Sequence, residues 1–172
     1  HEELVDAPPL VRLLLVEDDA AIAQPLARAL GRESFDVVHV DLGAAAVDAV
    51  LGGDFDIVVL DLTLPDIDGL TLLQAIRSRE LDVMTCMITA YANIETAVAA
   101  TRQGIDFFLP KPFSPDDLIG VVETLLRHKA TREEARTLRL AHEASLLELA
   151  SEKSQTHSLV ESLRDAVLVV NR

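Results

Sequence analysis

Between residues 11 and 113 the chain alternates two kinds of segment. Apolar runs rich in Val, Ile and Leu fall near 11–16, 36–40, 56–60, 83–88 and 106–109. Stretches with helical spacing of apolar positions separate them at 21–32, 44–51, 70–79 and 94–103. Near-continuous apolar runs suit strands covered on both faces. Their alternation with helices predicts right-handed crossovers and one parallel sheet. Pro25 is a local misfit in the first helical stretch, costing about 3 kcal/mol if fully interior, and is expected in the first turn or two.

The pattern changes at Ser114. Ser114-Pro115-Asp116-Asp117 is a helix start, in which Ser caps, Pro fills the first position and two acids face the positive end of the dipole. No Pro follows Pro115, and Gly120 is the only later Gly, so one helix is predicted from about 115 to 163. Ala135, Leu138, His142, Ser145, Leu149, Glu152, Thr156, Leu159 and Leu163 recur at alternating three- and four-residue steps. They form a heptad seam with several polar members. It reads either as a solvated, charge-laced helix or as a marginal parallel coiled coil of a homodimer. At Ala166-Val167-Leu168-Val169-Val170 the pattern turns strand-like. The expected organisation is an N-terminal extension over 1–9, with His1 a candidate tag remnant, then a domain over 10–128. A signalling helix over 129–163 and the truncated start of another module over 164–172 follow. Five strands fit an α/β, flavodoxin-like doubly wound sheet of order 2-1-3-4-5.

Composition narrows the partners. With 49% hydrophobic residues among 172, a packed core is expected, and 3% aromatics makes it mostly Leu, Val, Ile and Ala. A net charge of −14 argues against a nucleic-acid surface in this chain. Cys86 is the sole cysteine and sits in an apolar run, so a buried structural thiol is expected and a disulfide framework is excluded. No apolar stretch approaches the ~20 residues that span a bilayer, so no membrane partner is expected and a cytoplasmic location is.

The chemistry lies where the apolar runs stop. Glu17-Asp18-Asp19, Asp61, Thr89 and Lys111 each follow a different run. In a parallel sheet they meet at its carboxyl edge, where such folds place ligands. Carboxylates, a hydroxyl and an ammonium together suit a hard divalent cation and a phosphoryl group. Taken singly, each has a plainer role: the acidic triplet can cap a helix, Asp61 can end a turn, and Thr89 says nothing alone. Lys111 between two prolines is harder to dismiss.

These residues resemble a family. Leu15-Val16-Glu17-Asp18-Asp19, Leu60-Asp61 through Pro65-Asp66-Ile67-Asp68-Gly69, Ile88-Thr89-Ala90 and Leu109-Pro110-Lys111-Pro112-Phe113 resemble, in order, the four motifs of response-regulator receiver domains. The resemblance implies that Asp61 is a phospho-acceptor charged by a phosphohistidine on a sensor kinase or phosphotransfer protein. Mg²⁺ (or Mn²⁺) would be held by Glu17, Asp18, Asp61 and the Thr63 backbone carbonyl. Thr89 and Phe108 would be switch residues, Ala90 would leave the site open to a kinase, and Lys111 would bind phosphate. Lys111-Pro112 is expected to be cis. The fourth helix, fifth strand and start of the fifth helix would form the output face. Residues 161–172 resemble the start of a PAS sensory module.

Other readings fit less well. A haloacid-dehalogenase-type phosphatase also uses Asp, Mg²⁺, Thr and Lys at strand ends. It places an Asp-x-Asp on its first strand, whereas Asp61-Leu62-Thr63 lacks the second acid. Pro65 to Gly69 resembles a calcium loop superficially, but Leu64 and Ala75 stand at the required ligand positions. His142-Glu143 lacks the rest of a histidine-kinase phosphorylation box. A receiver-like dimer adaptor that is not phosphorylated remains a further alternative.

Overall fold

Five parallel strands carry the fold in the computed structural model, which describes residues 10–170, the side chains of 168–170 excepted. They are β1 (Arg12–Val16), β2 (Asp36–Val40), β3 (Ile57–Asp61), β4 (Met84–Thr89) and β5 (Phe107–Pro110). Between them lie α1 (Ala20–Arg32), α2 (Gly43–Gly52), α3 (Gly69–Arg77) and α4 (Ile94–Arg102), and α5 (Pro115–Val170) follows. The sheet order is β2-β1-β3-β4-β5, all parallel, as the alternation of segments predicts. Residues 1–9 and 171–172 lie outside the described residues, and the N-terminal extension lies with them.

Strand residues alternate between the two faces. Leu13, Leu15, Ile57, Val59, Cys86 and Ile88 pack against Leu26 and Leu30 of α1 and Leu118, Val122 and Leu125 of α5. Leu14, Val16, Val58, Leu60 and Met87 face the opposite way, onto Val50 of α2, Leu72, Leu73 and Ile76 of α3 and Ala100 of α4. Both faces are therefore covered, which is why the central strands β1 and β3 need no polar side. Leu13 to Val16 and Ile57 to Leu60 are fully buried. Pro25 sits in the second turn of α1, within the expected span.

An ion pair missed in the sequence ties the amino edge together. Arg77 at the end of α3 donates to Asp106 Oδ2 and Thr85 Oγ1, both at 2.7 Å, and to the Val83 carbonyl. Asp106 also accepts from the Thr85 N–H. These groups satisfy one another where the chain enters β4 and β5.

The chain divides into two compact units, one ending at Lys129 and the other beginning at Ala130. α5 opens with the anticipated cap, and it is reciprocal: Asp117 N–H donates to Ser114 Oγ, and Ser114 N–H donates to Asp117 Oδ2. Two expectations for the far end are corrected. The helix does not stop near 163, and Ala166 to Val170 is not a strand, because α5 includes both through Val170. An apolar run of five does not distinguish strand from helix by periodicity. Extension of an existing helix adds a backbone hydrogen bond per residue, whereas a strand needs a neighbour. Among the described residues, no helix is long and apolar enough to cross a membrane.

Candidate functional site

The carboxyl ends of β1, β3, β4 and β5 meet in one cleft of about 250 Å³. Glu17 directly follows β1, and its N–H still bonds the Val40 carbonyl of β2 at 3.1 Å, so its side chain leaves the sheet from a fixed base. Asp61 is the last residue of β3 and Thr89 the last of β4. Lys111 directly follows β5, and its N–H donates to the Thr89 carbonyl at 2.7 Å. Glu17 is 1% exposed, Asp61 6% and Thr89 not at all.

Buried carboxylates need compensation, and Lys111 supplies it. Its Nζ donates to Asp61 Oδ2 and Glu17 Oε2, both at 2.8 Å. The remaining oxygens are also occupied: Asp61 Oδ1 accepts from the Thr63 N–H and Glu17 Oε1 from the Asp19 N–H, each at 3.1 Å. Burial pushes the Glu17 carboxyl above its ordinary range, and the nearby Asp61 charge adds to that push. The Lys111 ammonium and the Asp19 N–H oppose it without cancelling it. For Lys111, burial works against the charged form, but Asp61 and Glu17 outweigh it and raise its pKa.

Asp18 is exposed and joins the cluster from the rim. Carboxylate oxygens of Glu17, Asp18 and Asp61 all lie within 4.8 Å of one another. Three hard oxygen donors that close, with the Thr63 backbone beside them in the cleft, fit a small divalent cation. Beside the cleft wall at the end of β4, fully buried Thr89 accepts from the Tyr91 N–H at 3.0 Å through Oγ1. Ala90 lines the same wall and adds no bulk. Phe108 stands apart, half-buried on β5 against the core under α2, α3 and α4. The Lys111–Pro112 peptide is cis. The nine seam residues, Ala135 to Leu163, are all exposed on the single helix.

The acidic triplet divides its labour. Asp19 caps α1 through the Ala21 N–H, while Glu17 and Asp18 turn into the cleft. In the loop after Asp61, Asp68 caps α3 and Asp66 accepts from the Gly43 and Ala44 N–H groups at the start of α2. Those contacts hold the Asp66 carboxyl below its usual range. Gly69 explains its own identity: a Cβ there would stand 2.5 Å from the Asp61 carbonyl oxygen and 2.7 Å from Leu62 Cα. His39 was missed from the sequence. Its Nε2 lies 2.7 Å from the Glu17 carbonyl, a contact made possible by the β1–β2 register pairing Leu15 with His39. Only the strand order could have pointed to it.

A doubly wound sheet of order 2-1-3-4-5 whose carboxyl edge gathers buried acids around one lysine defines a CheY-like α/β module. Comparison with known proteins makes the class specific. A model of the response regulator receiver domain matches residues 13–123, and the chain belongs to that family. The cell cycle response regulators CtrA of Brucella ovis and Brucella anthropi are each 38% identical over 117 residues, covering 68% of this chain and 50% of the relative. The chain therefore spans about half the length of these curated relatives. Among solved structures, the signal receiver domain of a LuxO repressor protein from Vibrio parahaemolyticus superposes with a TM-score of 0.70 at 28% identity. That match covers 73% of this chain and 96% of the other. NtrX from Brucella abortus matches with a TM-score of 0.70 at 32% identity, over 76% of this chain and 30% of its own.

Proposed function

We propose that this domain is the input switch of a two-component phosphorelay, with Asp61 accepting a phosphoryl group from a phosphohistidine on a sensor kinase or phosphotransfer protein. The observation that carries this reading is the Lys111 ammonium seated 2.8 Å from both Asp61 and Glu17, beside Asp18 at an open rim. An Asp61 carboxylate oxygen bonds to phosphorus as the P–N bond of the phosphohistidine breaks. The electron pair leaves with the imidazole, which takes up a proton. Lys111 and the Thr89 hydroxyl stabilise the phosphoryl oxygens, and Ala90 leaves room for the donor. Glu17, Asp18, Asp61 and the Thr63 carbonyl would hold Mg²⁺ or Mn²⁺, which when bound neutralises the crowded anions. Thr89 moves toward the new charge, and Phe108 fills the space beneath α4.

The output in this reading runs through the α4–β5–α5 face into residues 129–163, which pair as a parallel coiled coil with a second copy. The resemblance of residues 161–172 to the start of a PAS module supports a sensory module as the regulated partner.

The test is incubation with Mg²⁺ and a small phosphodonor, followed by a search for a base-labile acyl phosphate that disappears in Asp61→Asn. Multiple turnover of unrelated phosphate esters would favour the phosphatase. Failure to label with any donor would leave the silent adaptor.

A further inference from the structure

Residues 130–167 of α5 expose every described side chain, including Leu138, Leu146, Leu149, Leu159, Val160, Leu163 and Val167, each more than half accessible. These residues do not lie on one heptad stripe. Leu149, Thr156 and Leu163 form a common line spaced by seven. On one flank stand Ser145, Glu152 and Leu159, and on the other Leu146, Lys153 and Val160, with Val167 continuing the second flank. The common line makes a two-stranded seam with either flank.

We infer that the distal half of α5 holds two alternative coiled-coil seams with a second copy of this chain, and that the state of Asp61 sets the balance between them. The inference rests on the proposed phosphorylation switch and parallel dimer. Charge complementarity identifies the occupant as a second, parallel, in-register copy. In the first seam, Glu134 and Glu148 take flanking positions facing Arg139 and Lys153 of the other copy, five residues further on, the geometry in which parallel helices exchange ion pairs.

Neither seam is free of buried charge, and that keeps them close in energy. The first places Glu152 in the core and leaves Lys153 on the flank opposite the second copy's Glu148. The second places Lys153 in the core and sets Glu152 opposite the second copy's His157. Whichever neighbour is buried, the other gains a partner. Apolar content favours the second seam, which exchanges Ser145 and Leu159 for Leu146 and Val160. Ion pairing favours the first. Passing between them turns each helix by about 50°, half the angle between adjacent residues at 3.5 residues per turn.

The proximal part does not share this freedom. Continued upstream, the second seam would bury Arg132 and Arg139, whereas the first presents Ala135 and Leu138. Residues 131–142 therefore keep the first seam in both states. The second state places a four-residue step from His142 to Leu146 after the step from Leu138 to His142. That is a stutter, which unwinds a coiled coil locally. The switch point lies at residues 142–146.

Single-cysteine crosslinking across the dimer tests this with the full 172-residue chain. Burial pushes the native Cys86 thiol up to about 12, so it contributes no background. Ser145→Cys and Leu159→Cys report the first seam, Leu146→Cys and Val160→Cys the second, and Leu149→Cys and Leu163→Cys both. The probes are the free protein and the protein loaded with Mg²⁺ and beryllium fluoride, a phosphoryl mimic. Both flanks should crosslink, and the ratio of first-flank to second-flank yield should change several-fold on loading while the common line stays constant. Adding Lys153→Leu should move the yield to the second flank, and Glu152→Leu to the first. Crosslinks confined to one flank in both states, or an unchanged ratio on loading, overturn the inference while leaving the dimer. Absence of crosslinks even at the common line, with a monomeric mass in solution, overturns the dimer as well.

Discussion

Replacing Lys111 with Met removes the cation but keeps an apolar stem of similar length. It leaves Glu17 and Asp61 facing each other with side chains 1% and 8% exposed, where the native Lys111 side chain is itself 15% exposed. Removing one member of a buried charge cluster costs about 3–5 kcal/mol, because the remaining charges stay desolvated without a partner. The loss should depend on pH, and its sign follows from Glu17. Its carboxyl already lies above the ordinary 4.5 through burial, and losing Lys111 removes a group that holds it down. The folded variant then keeps a proton that the unfolded chain releases. Stability therefore falls as pH rises from the unfolded value through the raised folded value. Urea melts of Lys111→Met and the parent near pH 8 should differ by the full amount. Near pH 5 the gap should narrow, because the raised Glu17 carboxyl then holds its proton in the folded variant. Mg²⁺ should raise the variant's melting temperature more than the parent's, since the cation takes over the vacated neutralising role. A penalty under about 1 kcal/mol, or one independent of both pH and Mg²⁺, would refute the claim that Lys111 compensates buried charge.

Three further outcomes follow from named contacts. Gly69→Ala forces backbone apart beside Asp61, with Cβ distances of 2.5 and 2.7 Å to atoms that no rotamer change can move. It should cost about 1–3 kcal/mol in a urea melt and slow phosphoryl labelling, and an unchanged midpoint would remove the close-approach explanation. Asp66, lowered by the Gly43 and Ala44 N–H groups, contributes stability that is present above its unfolded value near 3.8 and lost as pH falls through the lower folded value. Asp66→Ala should therefore be less stable than the parent at neutral pH, with the charge-dependent part of the difference vanishing in acid; a gap that widens in acid would reverse the assignment. Cys86, with its thiol raised to about 12 by burial, should resist a thiol reagent in native protein near pH 8 and react on unfolding. Fast native labelling would show that β4 is not closed over it.

The parts of the fold legible in the sequence were those set by local apolar pattern. Each strand lies within one residue of its apolar run, and in the central strands β1, β3 and β4 burial on both faces leaves little room for polar interruption. The meeting of Glu17, Asp18, Asp61 and Lys111 was legible for the same reason, since parallel strands bring their ends together. Pairings across the sheet were not. That Lys111 reaches Glu17 across 94 positions, or that Arg77 meets Asp106, depends on side-chain reach in three dimensions. Ala166 to Val170 failed for a different reason: their β-branched content favours strand, but an existing helix upstream extends through them.

The route from the cleft to the long helix is short and leaves little slack. Two residues, Pro112 and Phe113, separate Lys111 from Ser114, whose reciprocal contacts with Asp117 close the first turn of α5 at 2.9 and 3.1 Å. Leu118, Val122 and Leu125 then fix the next turns in the core, where Leu109 and Phe113 also pack. The Lys111 N–H is itself bonded to Thr89, so the ends of β4 and β5 are joined where the two proposed phosphate-binding side chains sit. That bond ties the two backbones together, and α5 is the next element along the chain. Proximity alone does not make a signal path, because coupling requires an element with two states that the site biases differently. The first turns of α5, capped and buried, are poorly suited to that role. In the proposed dimer, the exposed distal segment, where one seam buries Glu152 and the other Lys153, would provide the two states.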